Sequence, residues 1–147
     1  MQTRQMNAVE VTGLKIRTNN MQELHPDTGK IGKLWERFFT EIYPYLGEQP
    51  QLYGVYTNYY SDGSGEFDVI AGTSETLEHV DCVTLGISAG RYLIFTAQGK
   101  MPMVAFKLWL KVLEYFDQED CPYERAFTTD FESYKSMNEL EIAIAIK

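Results

Sequence analysis

The sequence predicts an α+β fold in which the order strand, helix, strand, strand occurs twice. Two long segments have apolar residues at helical spacing, and each is followed by two segments with the composition and alternation of a β-hairpin. Hairpin strands are antiparallel, so we expect an antiparallel sheet. The chain has 147 residues, 44% of them hydrophobic, which is enough for one domain with its own core. We therefore expect a single domain over 1–147, with halves at about 1–75 and 82–147.

The first half begins with a predicted strand at about 4–17. Its apolar alternation changes phase at Gly13, which predicts a bulge there. A polar loop over 18–27 follows. The first long helix is predicted to begin near Thr28, a residue suited to capping a helix N-terminus, and to end near Leu46. Apolar residues along it, Trp35 among them, recur three and four positions apart, so this helix has one broad apolar face.

The second half begins with a predicted strand at 86–96, followed by a helix from about Pro102 to Gln118. The polar residues of this helix recur at helical spacing and predict a single polar stripe, formed by Lys107, Lys111, Glu114 and Gln118. Apolar residues cover the rest of its surface. We therefore expect this helix to be more deeply buried than the first.

A predicted hairpin completes each half. The first joins 52–60 to 66–72 through a glycine-rich turn, and the second joins 125–134 to 138–146. The last strand has regular alternation of large apolar residues with acids and alanines. We expect it to be half-buried through Leu140, Ile142, Ile144 and Ile146.

Acidic residues dominate the middle of the chain. The net charge is −8, and the stretch from Phe38 to Gly90 contains eight of the 21 acidic residues and none of the 13 basic ones. Nucleic-acid binding requires clustered Lys and Arg, so direct contact with DNA or RNA is not expected. Cations or basic partner surfaces would be attracted instead. An acidic surface that only keeps the protein soluble is an equally good interpretation.

The cysteines and histidines predict neither a disulfide framework nor a metal site, and no cofactor is expected. Cys82 and Cys121 have no CxxC spacing, and the only histidines are His25 and His79. No apolar run approaches the roughly 18 residues that a membrane span requires, and the N-terminal segment lacks the apolar core of a signal peptide. We therefore expect a cytoplasmic protein without membrane contact.

One acidic residue stands out in an aromatic strand. Alternation over 125–134 places Phe127 and Phe131 on one face, and Glu132 and Tyr134 on the other. If the face of Glu132 is open to water, this acid is an ordinary surface residue. If the face lines a cleft, an acid beside a tyrosine is a candidate cation site. The strand pattern leaves both interpretations open.

Several motifs along the chain carry a family resemblance. They are Tyr53-Gly54-Val55-Tyr56, Phe67-Asp68 with Ala71-Gly72, Gly90-Arg91-Tyr92 through Phe95, Gly99 before a helix with Trp109, Phe131-Glu132-Ser133-Tyr134, and the last strand from Leu140 to Lys147. Together they resemble the GyrI-like small-molecule-binding domain over nearly the whole chain. The same domain is the effector-binding domain of several AraC-type and multidrug-sensing transcription regulators. One element departs, because the family commonly has a proline in the last strand and this sequence reads Ile142-Ala143-Ile144-Ala145-Ile146.

The resemblance implies two modules related by pseudo-twofold symmetry, with two long helices and a ligand cleft between the modules. In that family a buried glutamate among aromatic side chains receives lipophilic cations, and the matching acid here is Glu132. The aromatic residues expected near it are Tyr56, Trp109 and Tyr134, although a tryptophan in an apolar helix is more often a core residue. Tyr53 and Tyr56 point to opposite faces of one strand, so one of them is expected in the cleft, and the sequence does not say which.

The function that the resemblance predicts is noncatalytic binding of a hydrophobic, cationic small molecule. The protein would act alone or with a separate transcription or other protein partner, because the two modules require all 147 residues and leave none for a helix-turn-helix domain. Two alternatives remain open. One is a small-molecule hydrolase in which Glu132 acts with a tyrosine as general base. The other is an inhibitor of a protein partner that binds through the acidic surface. No serine or cysteine triad supports acyl transfer, since both histidines lie in polar, loop-like sequence.

Overall fold

One antiparallel sheet of eight strands, with helices against one of its faces, makes up the computed structural model, which describes residues 1–147. The helices are α1 (Asn20–Glu23), α2 (Ile31–Glu41) and α3 (Met103–Phe116), and a 3-10 turn spans Tyr43–Tyr45. The strands are β1 (Gln2–Met6), β2 (Val9–Thr18), β3 (Leu52–Thr57), β4 (Phe67–Thr73), β5 (Val83–Ile87), β6 (Gly90–Gln98), β7 (Thr129–Ser136) and β8 (Glu139–Ala145). The predicted α+β class with an antiparallel sheet is confirmed.

The two halves of the chain meet at the centre of this sheet. The strand order is β1-β6-β8-β7-β3-β4-β2-β5, and the central pair is β7 with β3, in which Glu132 lies opposite Gly54. Each half also contributes an edge strand to the other half, because β1 pairs with β6 and β5 pairs with β2. The sequence pattern did not separate these two strands from their neighbours. The residues of β5 are mostly exposed, so they have little apolar alternation to mark a strand. The pseudo-twofold relation between the halves stays a prediction.

The predicted bulge at Gly13 is wrong. β2 pairs with β4 and β5 in unbroken register, with Gly13 opposite Gly72. The phase of the apolar residues changes because both faces of the sheet are buried, so Val11 packs into the core of one face and Leu14 into the core of the other. A glycine is required at position 13 because the backbones of β2 and β4 approach closely there. A Cβ on Gly13 would overlap the backbone carbonyl oxygen of Ala71.

The start of α2 differs from the sequence prediction. Thr28 does not cap this helix, because its hydroxyl donates to the carbonyl oxygen of Gln22 at 2.8 Å. The carboxylate of Glu23, at the end of α1, accepts hydrogen bonds from the backbone N–H groups of Lys30 (2.9 Å) and Ile31 (3.1 Å) instead. The helix therefore begins at Ile31, and α1 lies in the segment that was predicted to be a loop.

The two long helices are buried to a similar extent, with two of 11 residues buried in α2 and three of 14 in α3, so the predicted difference between them is not observed. α3 buries one face through Val104, Leu108 and Val112. Large apolar side chains next to that face are exposed by 44 to 58%, namely Met103, Phe106, Leu110 and Leu113. The polar stripe is thus only part of the exposed surface. The reason is that α3 contacts the sheet on one side and no second layer covers its other side.

The packing of the helices positions the centre of the sheet between them. α2 packs over β2 and β4, and α3 packs over β6 and β8, so β3 and β7 lie in the gap between the two helices. The opposite face of the sheet carries no helix, yet Val55 (0% exposed) and Phe131 (2%) on that face are buried. The sheet therefore curls and packs this face against itself. None of the helices combines the length and the apolar character that crossing a bilayer requires.

Candidate functional site

Glu132 lies on β7 at the centre of the sheet, on the face that carries the helices. Its side chain is only 3% exposed. The face is therefore not open to water, which excludes the first of the two interpretations that the strand pattern allowed. Such burial of a carboxylate is costly unless the charge finds partners.

Three aromatic side chains from three different elements donate hydrogen bonds to the Glu132 carboxylate. Tyr56 on β3 donates to Oε2 at 3.0 Å, and the indole Nε1 of Trp109 on α3 donates to the same oxygen at 2.6 Å. Tyr134, on the same strand face as Glu132, donates to Oε1 at 2.7 Å. All three donors are electrically neutral, and Glu132 forms no ion pair with Lys, Arg or His. The carboxylate is solvated by the protein, but its charge is not neutralised.

The electrostatics of the site follow from this arrangement. Burial raises the pKa of Glu132 above its ordinary value, and the hydrogen bonds from Trp109, Tyr134 and Tyr56 oppose that rise without cancelling it. Burial also raises the pKa of Tyr56 and of Tyr134 well above the usual value for tyrosine, and the neighbouring Glu132 charge adds to both shifts. Both phenols therefore keep their protons and act as donors at neutral pH.

Trp35 on α2 completes an aromatic enclosure that sequence reasoning missed. Its ring centroid is 5.3 Å from that of Tyr134, and on the α3 side the Tyr56 and Trp109 rings are 4.9 Å apart. Trp35 had been assigned only to the apolar face of the first helix. A signal was available, because the chain has just two tryptophans and each long helix carries one of them. Both lie beside the same carboxylate.

Gly54 provides the space for the carboxylate. It lies directly opposite Glu132 in the β3–β7 register. A Cβ at this position would overlap Oε1 of Glu132 and would come within 3.3 Å of the Trp35 ring. The glycine in the Tyr-Gly-Val-Tyr motif is thus explained by the close approach of the acid and the helix.

Tyr53 does not join this group. It lies on the opposite face of β3, where its ring is 6.0 Å from that of Phe131. Of the two tyrosines that the sequence left undecided, Tyr56 is therefore the one at Glu132. Phe127 also departs from its predicted place, because it precedes β7 and has a positive φ of 54°, so it does not share a strand face with Phe131.

Asp130 is a second buried acid on the same face of β7, and it has a basic partner. It is 0% exposed, and its carboxylate accepts hydrogen bonds from Arg125 (2.7 Å), the Tyr59 hydroxyl (2.6 Å) and the backbone N–H of Ala145 (2.9 Å). Sequence reasoning assigned no partner to this acid, since Arg125 had been placed in the same strand. The regular strand is interrupted before Thr129, where Phe127 has a positive φ of 54°, and Arg125 pairs with Ile146 beside the end of β8, from where its side chain reaches Asp130.

The space above Glu132 is covered in this structure. Two open cavities, of about 520 Å³ and 460 Å³, lie elsewhere and are lined by other residues. Over Glu132 lie the half-buried side chains of Trp35, Trp109 and Tyr134. The predicted cleft between the modules is therefore closed by aromatic rings, and a ligand that reaches the carboxylate has to displace some of them.

Comparison with known proteins places the chain in a family. The sequence profile described as "Cass2: Integron-associated effector binding protein" matches residues 4–146. The chain belongs to this family. A search of curated proteins gave no significant match.

Solved structures agree with membership of the Cass2 family. An integron cassette protein from Vibrio cholerae is 46% identical in sequence, with a TM-score of 0.94 over 99% of this chain and 95% of that one. A candidate transcription regulation protein of Staphylococcus aureus is 18% identical, with a TM-score of 0.75 over 99% and 97%. SAV2435, solved with bound tetraphenylphosphonium, is also 18% identical, with a TM-score of 0.74 over 99% and 93%. The last two establish the fold alone, and with the family match they confirm the GyrI-like resemblance.

The chemistry open to the Cass2-family site is limited by its donors and charge. A buried carboxylate without a basic partner can bind a cationic group or accept a proton. The surrounding groups are aromatic rings and neutral donors, which contribute dispersion contact, cation–π attraction and orientation. The site is thus suited to a ligand that has a positive charge and an apolar body.

Proposed function

We propose that this protein binds hydrophobic cationic small molecules at Glu132, without catalysis. The observation that carries the proposal is the buried carboxylate whose only partners are neutral donors. A charge in a low-dielectric surrounding interacts with an opposite charge more strongly than it does in water. A cationic ligand would supply the missing counter-charge, which no side chain of the protein supplies.

The aromatic enclosure supports an apolar body for this ligand. Trp35, Tyr56, Trp109 and Tyr134 present rings around the carboxylate. Each ring that meets the cation adds attraction of about 0.5–2 kcal/mol, and each also buries apolar ligand surface. A small hydrated ion gains neither contribution, so the site favours organic cations over metal ions.

The comparisons are in accord with this ligand class. The family is described as effector binding, and a protein of the same fold is solved with tetraphenylphosphonium, an organic cation with four phenyl groups. The acidic stretch from Phe38 to Gly90 would also attract cations toward the protein at low ionic strength. The assignment to Glu132 in this chain rests on the geometry of its own site.

Intrinsic fluorescence provides the test, because both tryptophans of the chain flank Glu132. We expect tetraphenylphosphonium to change tryptophan emission on titration, and we expect binding at least about tenfold weaker in Glu132→Gln, which keeps the shape and removes the charge. Glu114→Gln, an exposed site on α3, is the matched control for the loss of one negative charge and should bind as the wild type does.

Equal affinity of the wild type and Glu132→Gln would refute the role of this carboxylate. Turnover of a strained, electrophilic compound by the wild type and not by Glu132→Gln would replace binding with hydrolysis as the function of the site.

A further inference from the structure

One cavity lies apart from Glu132, where the end of α3, the α3–β7 connection and the β3–β4 turn meet. Its volume is about 520 Å³, and its lining includes Ser61, Phe116, Tyr123, Arg125, Phe127 and Lys147. Three aromatic rings, two basic groups and the acidic side chain of Glu124 therefore border one cavity. Neither the fold nor the proposed function uses this combination.

Arg125 is the central polar group of this cavity, and its hydrogen bonding is incomplete. Its side chain is 10% exposed and makes one hydrogen bond, from Nη2 to Asp130. The Nε–H group is fully buried and has no acceptor. Buried donors almost always have a partner, because an unpaired one loses its hydration without compensation. The Nη1 group of Arg125 has no partner either, and it is not buried, so Nη1 rather than Nε can donate to a ligand oxygen in the cavity.

Phe127 forms one wall of the cavity and has an unusual backbone conformation. Its φ of 54° lies in the left-handed region, which aromatic residues rarely adopt. That conformation brings its ring to 4.4 Å from the Arg125 guanidinium carbon, and 5.6 Å from the Tyr59 ring. Strained residues of this kind persist where the surroundings determine them, and they cluster at ligand sites. The flat face over Arg125 is thus a built feature of the cavity.

Lys147 is the second basic group at the cavity, and its present partner is easily exchanged. Its ammonium group pairs with Glu124 at 2.8 Å, and the two side chains are 61% and 74% exposed. Such surface pairs contribute little to stability, so an anion with better geometry can replace Glu124. Asp130 cannot be replaced in the same way, because three donors hold it at zero exposure.

We infer that this cavity is a second ligand site, for a small aromatic carboxylate. The carboxylate would accept hydrogen bonds from the unpaired side of Arg125 and from Lys147, and the aromatic ring would contact Phe116, Tyr123 and Phe127. The site selects a charge opposite to that selected at Glu132. It shares no lining residue with the Glu132 enclosure, so it stands independently of the proposed function.

Amide and side-chain NMR of the ¹⁵N-labelled protein tests this inference with 2-naphthoate as the probe. We expect saturable shifts of the Arg125 Nε–H and of amides near Phe116 and Tyr123, with a dissociation constant on the order of 1 mM for a ligand of this size. The neutral 2-naphthamide should bind about tenfold more weakly, since charge-assisted hydrogen bonds are the stronger ones.

Substitutions at the rim of this cavity test the site without changing the buried Arg125–Asp130 ion pair. Ser61→Phe fills the cavity from an exposed turn and should abolish the shifts, whereas Ser88→Phe, at an exposed position outside the cavity, should leave them unchanged. Glu132→Gln should also leave them unchanged. Undiminished binding in Ser61→Phe, equal binding of carboxylate and amide, or shifts centred on the other cavity, which Lys30 and Lys33 line, would each overturn the inference.

Discussion

Asp130 and Glu132 lie two residues apart on the same face of β7, and both are buried, yet their partners differ. Asp130 is paired with Arg125 and is also held by a backbone N–H of β8. Glu132 receives only neutral donors. The two acids share a strand and a strand face, and both are buried, so the main difference between them is the basic partner. The paired acid, Asp130, is a structural residue, and the unpaired acid, Glu132, is a candidate ligand-binding residue.

The comparison also indicates what each acid does for stability. Asp130 connects the α3–β7 segment to the sheet through Arg125 and ties β7 to β8. Glu132 carries a desolvation cost that three hydrogen bonds offset only in part, as the direction of its pKa shift shows. The proposed binding site thus lowers stability, whereas the neighbouring ion pair stabilises the framework.

The largest expected effect is on the structural acid. Asp130→Asn leaves Arg125 buried without a counter-charge, and we expect a loss of about 3–5 kcal/mol in the free energy of unfolding. Glu132→Gln removes an uncompensated charge and should lose less than about 1 kcal/mol or gain stability. Urea denaturation of both variants measures the difference. An equal loss in the two variants would break the distinction between the acids.

The next effect concerns the space that Glu132 requires. Gly54→Ala places a methyl group against the carboxylate, and we expect a destabilisation of about 1–3 kcal/mol together with weaker cation binding. Gly86→Ala on β5 is the matched control, because a Cβ there meets no atom within 4 Å. Equal urea midpoints for the two variants would mean that Gly54 does not pack closely against Glu132.

The third effect is a pH dependence that belongs to Glu132. Because its pKa in the folded protein is raised above 4.5, the folded state holds this proton more tightly than the unfolded state. The contribution to stability is full below 4.5 and is lost as pH rises through the raised pKa, by about 1.4 kcal/mol for each pKa unit of elevation. Denaturation of the wild type and Glu132→Gln at several pH values checks the sign. A difference that grows in favour of the wild type with rising pH would contradict it.

The smallest expected effect concerns the tyrosines that donate hydrogen bonds to the two acids. Tyr134→Phe removes a hydrogen bond that lowers the pKa of Glu132, so that pKa should rise further and cation binding near neutral pH should weaken by a few-fold, or about 1 kcal/mol. Tyr59→Phe removes a donor from Asp130 and should leave cation binding unchanged. Comparable losses of affinity in both variants would mean that the two networks act as one.

The sequence predicted the fold class from local patterns, and the same patterns singled out Glu132 without deciding whether it faces water or a cleft. Alternation assigned Glu132 and Tyr134 to one face, and the hairpins and long helices followed from spacing and turn residues. The position of Trp109 beside Glu132 was predicted only through the resemblance. Its own apolar helix indicated a core position, whereas in the structure it donates to Glu132.

The remaining features depend on contacts between residues distant in the chain. Trp35 reaches the site because α2 packs beside β3, and Gly13 is explained by the approach of β4. The start of α2 is set by Glu23, and the Arg125–Asp130 pair by a turn at Phe127 that no strand pattern contains. Local propensity carries no information about which partner a buried charge will find.

The most direct measurement of the central claim is a carboxyl ¹³C NMR titration of Glu132 against pH, with and without saturating tetraphenylphosphonium. We predict a midpoint above 4.5 in the free protein and a downward shift of that midpoint in the complex, because a bound cation stabilises the ionised carboxylate. A midpoint that the cation leaves unchanged would contradict the account, since the ligand would then not sense the charge of Glu132.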